Sequence, residues 1–119
     1  VRGTRKSREL FLLKLNIMTK EQFTEITEWQ NKTFQNSTTL SKIIHLKQEV
    51  EELERAVYFE SEKELINEIA DCLILLFGVA SKTGLTYETT WLAIEQKMEI
   101  NKQRKWGKPD ANGVVNHIN

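Results

Sequence analysis

The stretch Leu65–Ala80, "LINEIADCLILLFGVA", constrains the fold of this chain more than any other segment. At about 100° per residue from Ile66, the residues Ile69, Ala70, Leu73, Phe77 and Ala80 fall within roughly 60° and form the main core stripe. Leu75 and Val79 lie near the opposite side, at roughly 180° and 220°. A helix that is apolar all round is normally enclosed, so this segment predicts a helix covered on more than one side. Two acids interrupt it. Glu68 and Asp71 project at about 200° and 140°, at one end of the second apolar strip.

The remaining chain also reads as helix, with no convincing period-2 alternation and no strands. Thr19 followed by Gln22 is a capping box that opens a first helix. Its Phe23, Ile26, Gln30 and Phe34 share one side, and the pattern fades at "QNSTT". A second helix is predicted from about Leu40 to Val57, where Ile43, Leu46, Val50, Leu53 and Val57 recur at spacings of three and four. Ser61 with Glu64 caps the third helix, and Gly84 is its natural stop. A fourth runs from Thr86 or Tyr87 to Lys105, before Gly107 and Pro109. The tail "KPDANGVVNHIN" reads as irregular. Short connections favour antiparallel neighbours, so the expected fold is all-α, a four-helix bundle-like chain.

At 119 residues the chain is expected to form one domain. Its 17 basic and 17 acidic residues cancel, but unevenly. Residues 1–17 hold Arg2, Arg5, Lys6, Arg8 and Lys14 against Glu9 alone, which leaves the rest at a net charge of −4. With Met18-Thr19 preceding a good helix start, residues 1–18 are read as an expression-derived or upstream-translated leader, and 19–119 as the folded domain. A basic arm for a membrane or nucleic acid is the alternative. An acidic body argues against binding of a nucleic acid polymer. No apolar run is long enough to cross a bilayer. A single cysteine, Cys72, excludes an intrachain disulfide and fits a reducing cytoplasm.

The second helix carries its own pair of acids, Glu49 and Glu52, in "HLKQEVEELERAV". If helices two and three run antiparallel, four carboxylates converge. Burying like charges unpaired is costly, and a divalent cation relieves that cost. Carboxylate oxygens suit a hard ion, Mg²⁺ or Mn²⁺, and Mg²⁺ commonly joins carboxylates to substrate phosphates. "EVEELE" by itself more often describes a solvated face. On the fourth helix Lys97, Asn101 and Arg104 align at i, i+4, i+7. They form either a polyphosphate-binding row or a cationic helix end that complements the dipole. Trp29, at the edge of the first helix's stripe, suits stacking on a nucleobase or closing a dimer interface. Trp91 reads as core and Cys72 as filler. His45, one turn before Glu49, reads as surface in preference to a support for that acid. His117 receives no role.

These residues together resemble the MazG-like, all-α nucleoside triphosphate pyrophosphohydrolases. The superfamily's E-x-x-E pair matches Glu49 and Glu52, and its E-x-x-D pair matches Glu68 and Asp71, with residues 53–67 between them. The downstream K-x-x-x-N with a following basic residue matches Lys97, Asn101 and Arg104. The branch most similar is the dATP/dGTP pyrophosphohydrolases, through "HLKQEVEEL", "NEIADCLILL" and "KMEINKQRKWGKPDANGVVNH". The resemblance implies Mg²⁺-dependent hydrolysis of a nucleoside triphosphate, a purine dNTP by branch, to the monophosphate and pyrophosphate. Glu49, Glu52, Glu68 and Asp71 would be the catalytic metal ligands, with Mn²⁺ as a substitute ion. Lys97, Asn101, Arg104 and Trp29 would bind substrate. It also implies a homo-oligomer, a dimer or tetramer. A di-iron bundle is disfavoured because no Glu-x-x-His occurs. The remaining rival is a non-catalytic helical oligomerisation or partner-binding protein.

Overall fold

The computed structural model describes residues 4–7, 18–59 and 61–118, so most of the leader expectation lies outside the described residues. Among the described residues from Lys20 onward, four helices follow one another: α1 (Lys20–Thr33), α2 (Thr39–Phe59), α3 (Glu62–Lys82) and α4 (Tyr87–Gln103). The chain divides into two compact units, Val1–Tyr87 and Glu88–Asn119. No single described helix is long and apolar enough to cross a membrane.

In the first unit local chemistry sets the helix ends. Thr19 carries both halves of its capping box. Its hydroxyl accepts from the Gln22 amide at 3.2 Å, and the Gln22 side-chain oxygen accepts from the Thr19 amide at 2.9 Å. Ser61 supplies only its own half, accepting from the Glu64 amide at 3.4 Å. Gly84 ends α3 at φ 90°, a conformation that penalises any Cβ. Its own amide donates to Ser81 and that of Leu85 to Ala80, the paired bonds of a Schellman stop.

The two-residue link between α2 and α3 makes them an antiparallel hairpin. On α2 the inner positions are Lys42, Leu46, Glu49, Leu53 and Ala56; on α3 they are Leu65, Glu68, Cys72, Leu75 and Val79. Both runs alternate steps of four and three, the spacing of a heptad seam. Phe23 of α1 closes this layer edge-to-face on Phe77, with ring centroids 5.6 Å apart. The Tyr87 hydroxyl donates to the Met18 carbonyl at 2.9 Å and ties the start of α4 to the segment before α1.

The first half of the expected core stripe of α3 is turned outward, while Phe77 and Ala80 at its other end are half-buried. Ile66 is 57% exposed, and Ile69 and Leu73 are also exposed, whereas the strip containing the acids is the one covered. Likewise Val57 of the expected α2 seam is 64% exposed, and Val50 also faces out. Both faces of α3 are apolar, so periodicity could not choose between them. Contact with α1 and α2 did.

In the second unit no α4 residue is buried, and Trp91, expected in the core, is 40% exposed. The tail is ordered where irregular chain was expected. Strand β1 (Lys105–Trp106) pairs antiparallel with β2 (His117–Ile118), Lys105 opposite Ile118 and Trp106 opposite His117. Asp110 closes the intervening loop by accepting from the amides of Asn112 at 2.8 Å and Val114 at 2.9 Å. Two-residue strands are too short to show alternation, and the turn chemistry of Asp110, Asn112 and Gly113 was the available signal.

Candidate functional site

Glu49 occupies an inner position of α2 and Glu68 one of α3, with Asp71 one turn further along α3. Because the helices run antiparallel, these three meet: each offers a carboxylate oxygen within 4.8 Å of the others. One oxygen of Glu49 and one of Glu68 (both Oε2) are buried without any hydrogen-bond partner. Burial first, then the charges of Glu52, Glu49 and Asp71, hold the Glu68 carboxyl above the usual glutamate value. Glu52 stands outside the trio, exposed, with an oxygen 3.9 Å from Arg55 Nη2. It is nonetheless near enough to act on Glu68 electrostatically.

Orphaned, buried carboxylate oxygens are costly unless something cationic meets them. Three oxygen donors of this kind fit a hard divalent cation, and the all-oxygen set disfavours zinc or copper. Cys72 lies beside the acids, but burial first, and then Glu49, Glu68 and Asp71, push its thiol upward. It therefore stays protonated and is a poor nucleophile.

Beside the trio opens a cavity of about 190 Å³ whose lining includes Trp29, Gln30, Phe34, His45, Glu49 and Asp71. Its aromatic wall is continuous. Trp29 meets Phe34 edge-on at 5.6 Å between centroids, and Phe34 meets His45 edge-on at 6.3 Å. His45 Nε2 then lies 3.4 Å from Glu49 Oε1. The histidine read as surface thus joins the aromatic wall to the acids. Trp29 is 55% exposed and also lines a second cavity of about 200 Å³, with Glu25, Ile26 and Ile74.

Gln30, Phe34 and Lys42 were not among the expected site residues. Lys42 left one sequence signal, a lysine in register with Leu46, Glu49 and Leu53 on the α2 seam. Gln30 had been placed on the α1 stripe, but its partners are remote in sequence and invisible there. In the second unit, Asn101 and Arg104 are half-buried and Lys97 is exposed. The Trp106 indole donates to the Asn101 carbonyl at 3.0 Å, and the Arg104 amide donates to Ile100 at 3.2 Å.

Three comparisons bear on this arrangement. A family profile described as dATP/dGTP pyrophosphohydrolase matches residues 22–119. The dATP/dGTP diphosphohydrolase of Salmonella phage PMBT28 is 33% identical over 93 residues, 78% of this chain. The chain spans only 29% of that relative's length. Among solved structures, a MazG-like pyrophosphohydrolase of cyanophage S-2L, bound to dGDP and three catalytic Mn²⁺ ions per active site, superposes with a TM-score of 0.68. It is 27% identical, and the match covers 86% of this chain and 95% of that one.

Proposed function

The chain belongs to the dATP/dGTP pyrophosphohydrolase family, and on that premise we propose that it hydrolyses a purine deoxynucleoside triphosphate to the monophosphate and pyrophosphate. The observation that carries this reading is the meeting of Glu49, Glu68 and Asp71 beside an aromatic cavity of nucleobase size. A divalent cation would supply charge neutralisation for phosphate oxygens and polarisation of a water molecule. Glu49, Glu68 and Asp71 would hold it, with Glu52 as an outer fourth carboxylate. Mg²⁺ is the proposed physiological ion and Mn²⁺ its substitute, the latter in line with the ions of the cyanophage structure.

Among the protein's own groups, Trp29 offers a face for the base. The His45 contact restrains Glu49 against rotation, so that carboxylate need not be ordered anew when substrate arrives. Lys97 and Arg104 are proposed to neutralise the polyphosphate, with Asn101 as a neutral hydrogen-bond donor to it. The exposed apolar face of α3, with Ile66, Ile69 and Leu73, supports assembly as a homo-oligomer, and the reducing cytoplasm is the proposed setting for Cys72.

A nucleotide panel tests this reading. Each dNTP and NTP is incubated with and without Mg²⁺ or Mn²⁺, and pyrophosphate and orthophosphate are assayed separately. Metal-dependent pyrophosphate with equal monophosphate, strongest for dATP or dGTP, is expected. Folded, metal-loaded protein that turns over nothing would refute the reading and leave the helical hairpin as an assembly or partner-binding surface.

A further inference from the structure

Lys42 is 3% exposed on the inner face of α2, and no carboxylate of the described residues pairs with it. An ammonium buried without a counter-ion is costly, and burial first, then Lys82 on α3, hold its pKa below the usual lysine value. The groups it does touch are specific. Nζ donates to the Gln30 side-chain oxygen at 3.0 Å and lies 5.3 Å from the centre of the Phe34 ring. Gln30 is 0% exposed, and its Nε2 donates to the Ile74 carbonyl at 2.7 Å.

These contacts leave the Gln30 amide one orientation. Lysine can only donate and a carbonyl can only accept, so a flipped amide would oppose both partners. The amide also fills the space beside Gly78 that a side chain would need. A Cβ there would come within 2.8 Å of the amide carbon and 3.0 Å of its nitrogen. Gln30, Phe34 and Ile74, which are both of Lys42's partners and the second partner of Gln30, all line the cavity that also holds Trp29. The buried cation therefore acts behind the cavity, on its wall.

We propose that Lys42 is a positioning residue for base recognition: through Gln30 and Phe34 it fixes the wall against which a purine is selected over a pyrimidine. This rests on the reading of the Trp29 cavity as the nucleobase site, and does not depend on turnover. A rigid wall discriminates by shape because a smaller ring leaves it underfilled, whereas a wall free to relax collapses onto either ring. Phe34 also presents a ring already polarised by the ammonium on one face.

The test is calorimetric binding of dGMP and dCMP in the presence of Mn²⁺, with wild type, Lys42→Met, Gln30→Leu and the double variant. Methionine keeps the length of the lysine stem and removes the charge. Wild type is expected to prefer dGMP, and Lys42→Met to lose about 5- to 20-fold of that preference, the scale of one lost buried contact. Its melting temperature should change by only a few degrees, because loss of the buried charge offsets the Gln30 oxygen left without its donor, and its Mn²⁺-induced stabilisation should persist. That pattern separates positioning from folding and from the acid trio. Gln30→Leu should lose the same preference, and the double variant should lose no more than either single change, since both act through one wall. An undiminished dGMP/dCMP ratio in Lys42→Met, or no preference in wild type, overturns the proposal. Purine-selective binding without hydrolysis of any triphosphate would instead refute the proposed function and leave this inference standing.

Discussion

Gly78→Ala isolates the contact on which the site wall depends. In an ordinary helix interior this change stabilises by about 1 kcal/mol, because alanine has the better helix propensity. In α3 the new methyl would sit 2.8 Å from the Gln30 amide carbon and closer still to its oxygen. Gln30 cannot yield and keep its partners, since it is fully buried and bonded to Lys42 and Ile74. Displacing it leaves the Lys42 ammonium without its acceptor, and each orphaned buried group costs about 1–3 kcal/mol, more when charged. Against the propensity gain, the net expectation is roughly 2–4 kcal/mol of destabilisation. For a domain of this size that lowers the melting temperature by roughly 8–16 °C. Thermal unfolding followed by circular dichroism at neutral pH, without added metal, reads it. In a Gln30→Ala background the space is empty, and Gly78→Ala should become neutral or stabilising by about 1 kcal/mol. A single Gly78→Ala variant as stable as wild type would show that the amide does not occupy that space, and the account of the wall would fail with it.

Further outcomes follow from the same geometry. Glu68→Gln should abolish both the Mn²⁺-induced rise in melting temperature and pyrophosphate release while leaving the metal-free fold intact, and Glu52→Gln should weaken both less; equal responses of the two variants would refute the unequal placement of these acids. Trp29→Ala should raise the Kd for dGMP about 5- to 100-fold, the scale of one lost stacking contact, with little change in helicity because the ring is largely exposed. Lys42 yields a pH signature of definite sign. Its pKa is lowered in the folded state, so between that lowered value and the ordinary lysine value of 10.5 the unfolded chain binds the extra proton, and stability from this group rises with pH. Urea unfolding at several values between about pH 8 and 10 should show wild type gaining on Lys42→Met as pH rises; a constant difference between the two would exclude the lowered pKa.

What the sequence by itself determined here is local. The Thr19–Gln22 capping box, the left-handed stop at Gly84 and the three-residue step from Glu68 to Asp71 depend on chemistry within a turn or two, and each stands where the sequence places it. Convergence of the acids needed one more premise, an antiparallel hairpin, and the two-residue link supplied it. Which face of α3 is inside could not be read, because Ile66–Ile69–Leu73 and Cys72–Leu75–Val79 are equally apolar and only a neighbouring helix distinguishes them. The same limit hid Lys42, whose inner position has meaning only against α3, and Gln30, whose amide meets a glycine 48 residues away. It also hid the aromatic wall, where Trp29 and Phe34 come from α1 and its cap while His45 comes from α2. A periodic pattern reports which residues share a face. Packing between elements decides what that face meets, and the aromatic cavity and its buried cation exist only at that level.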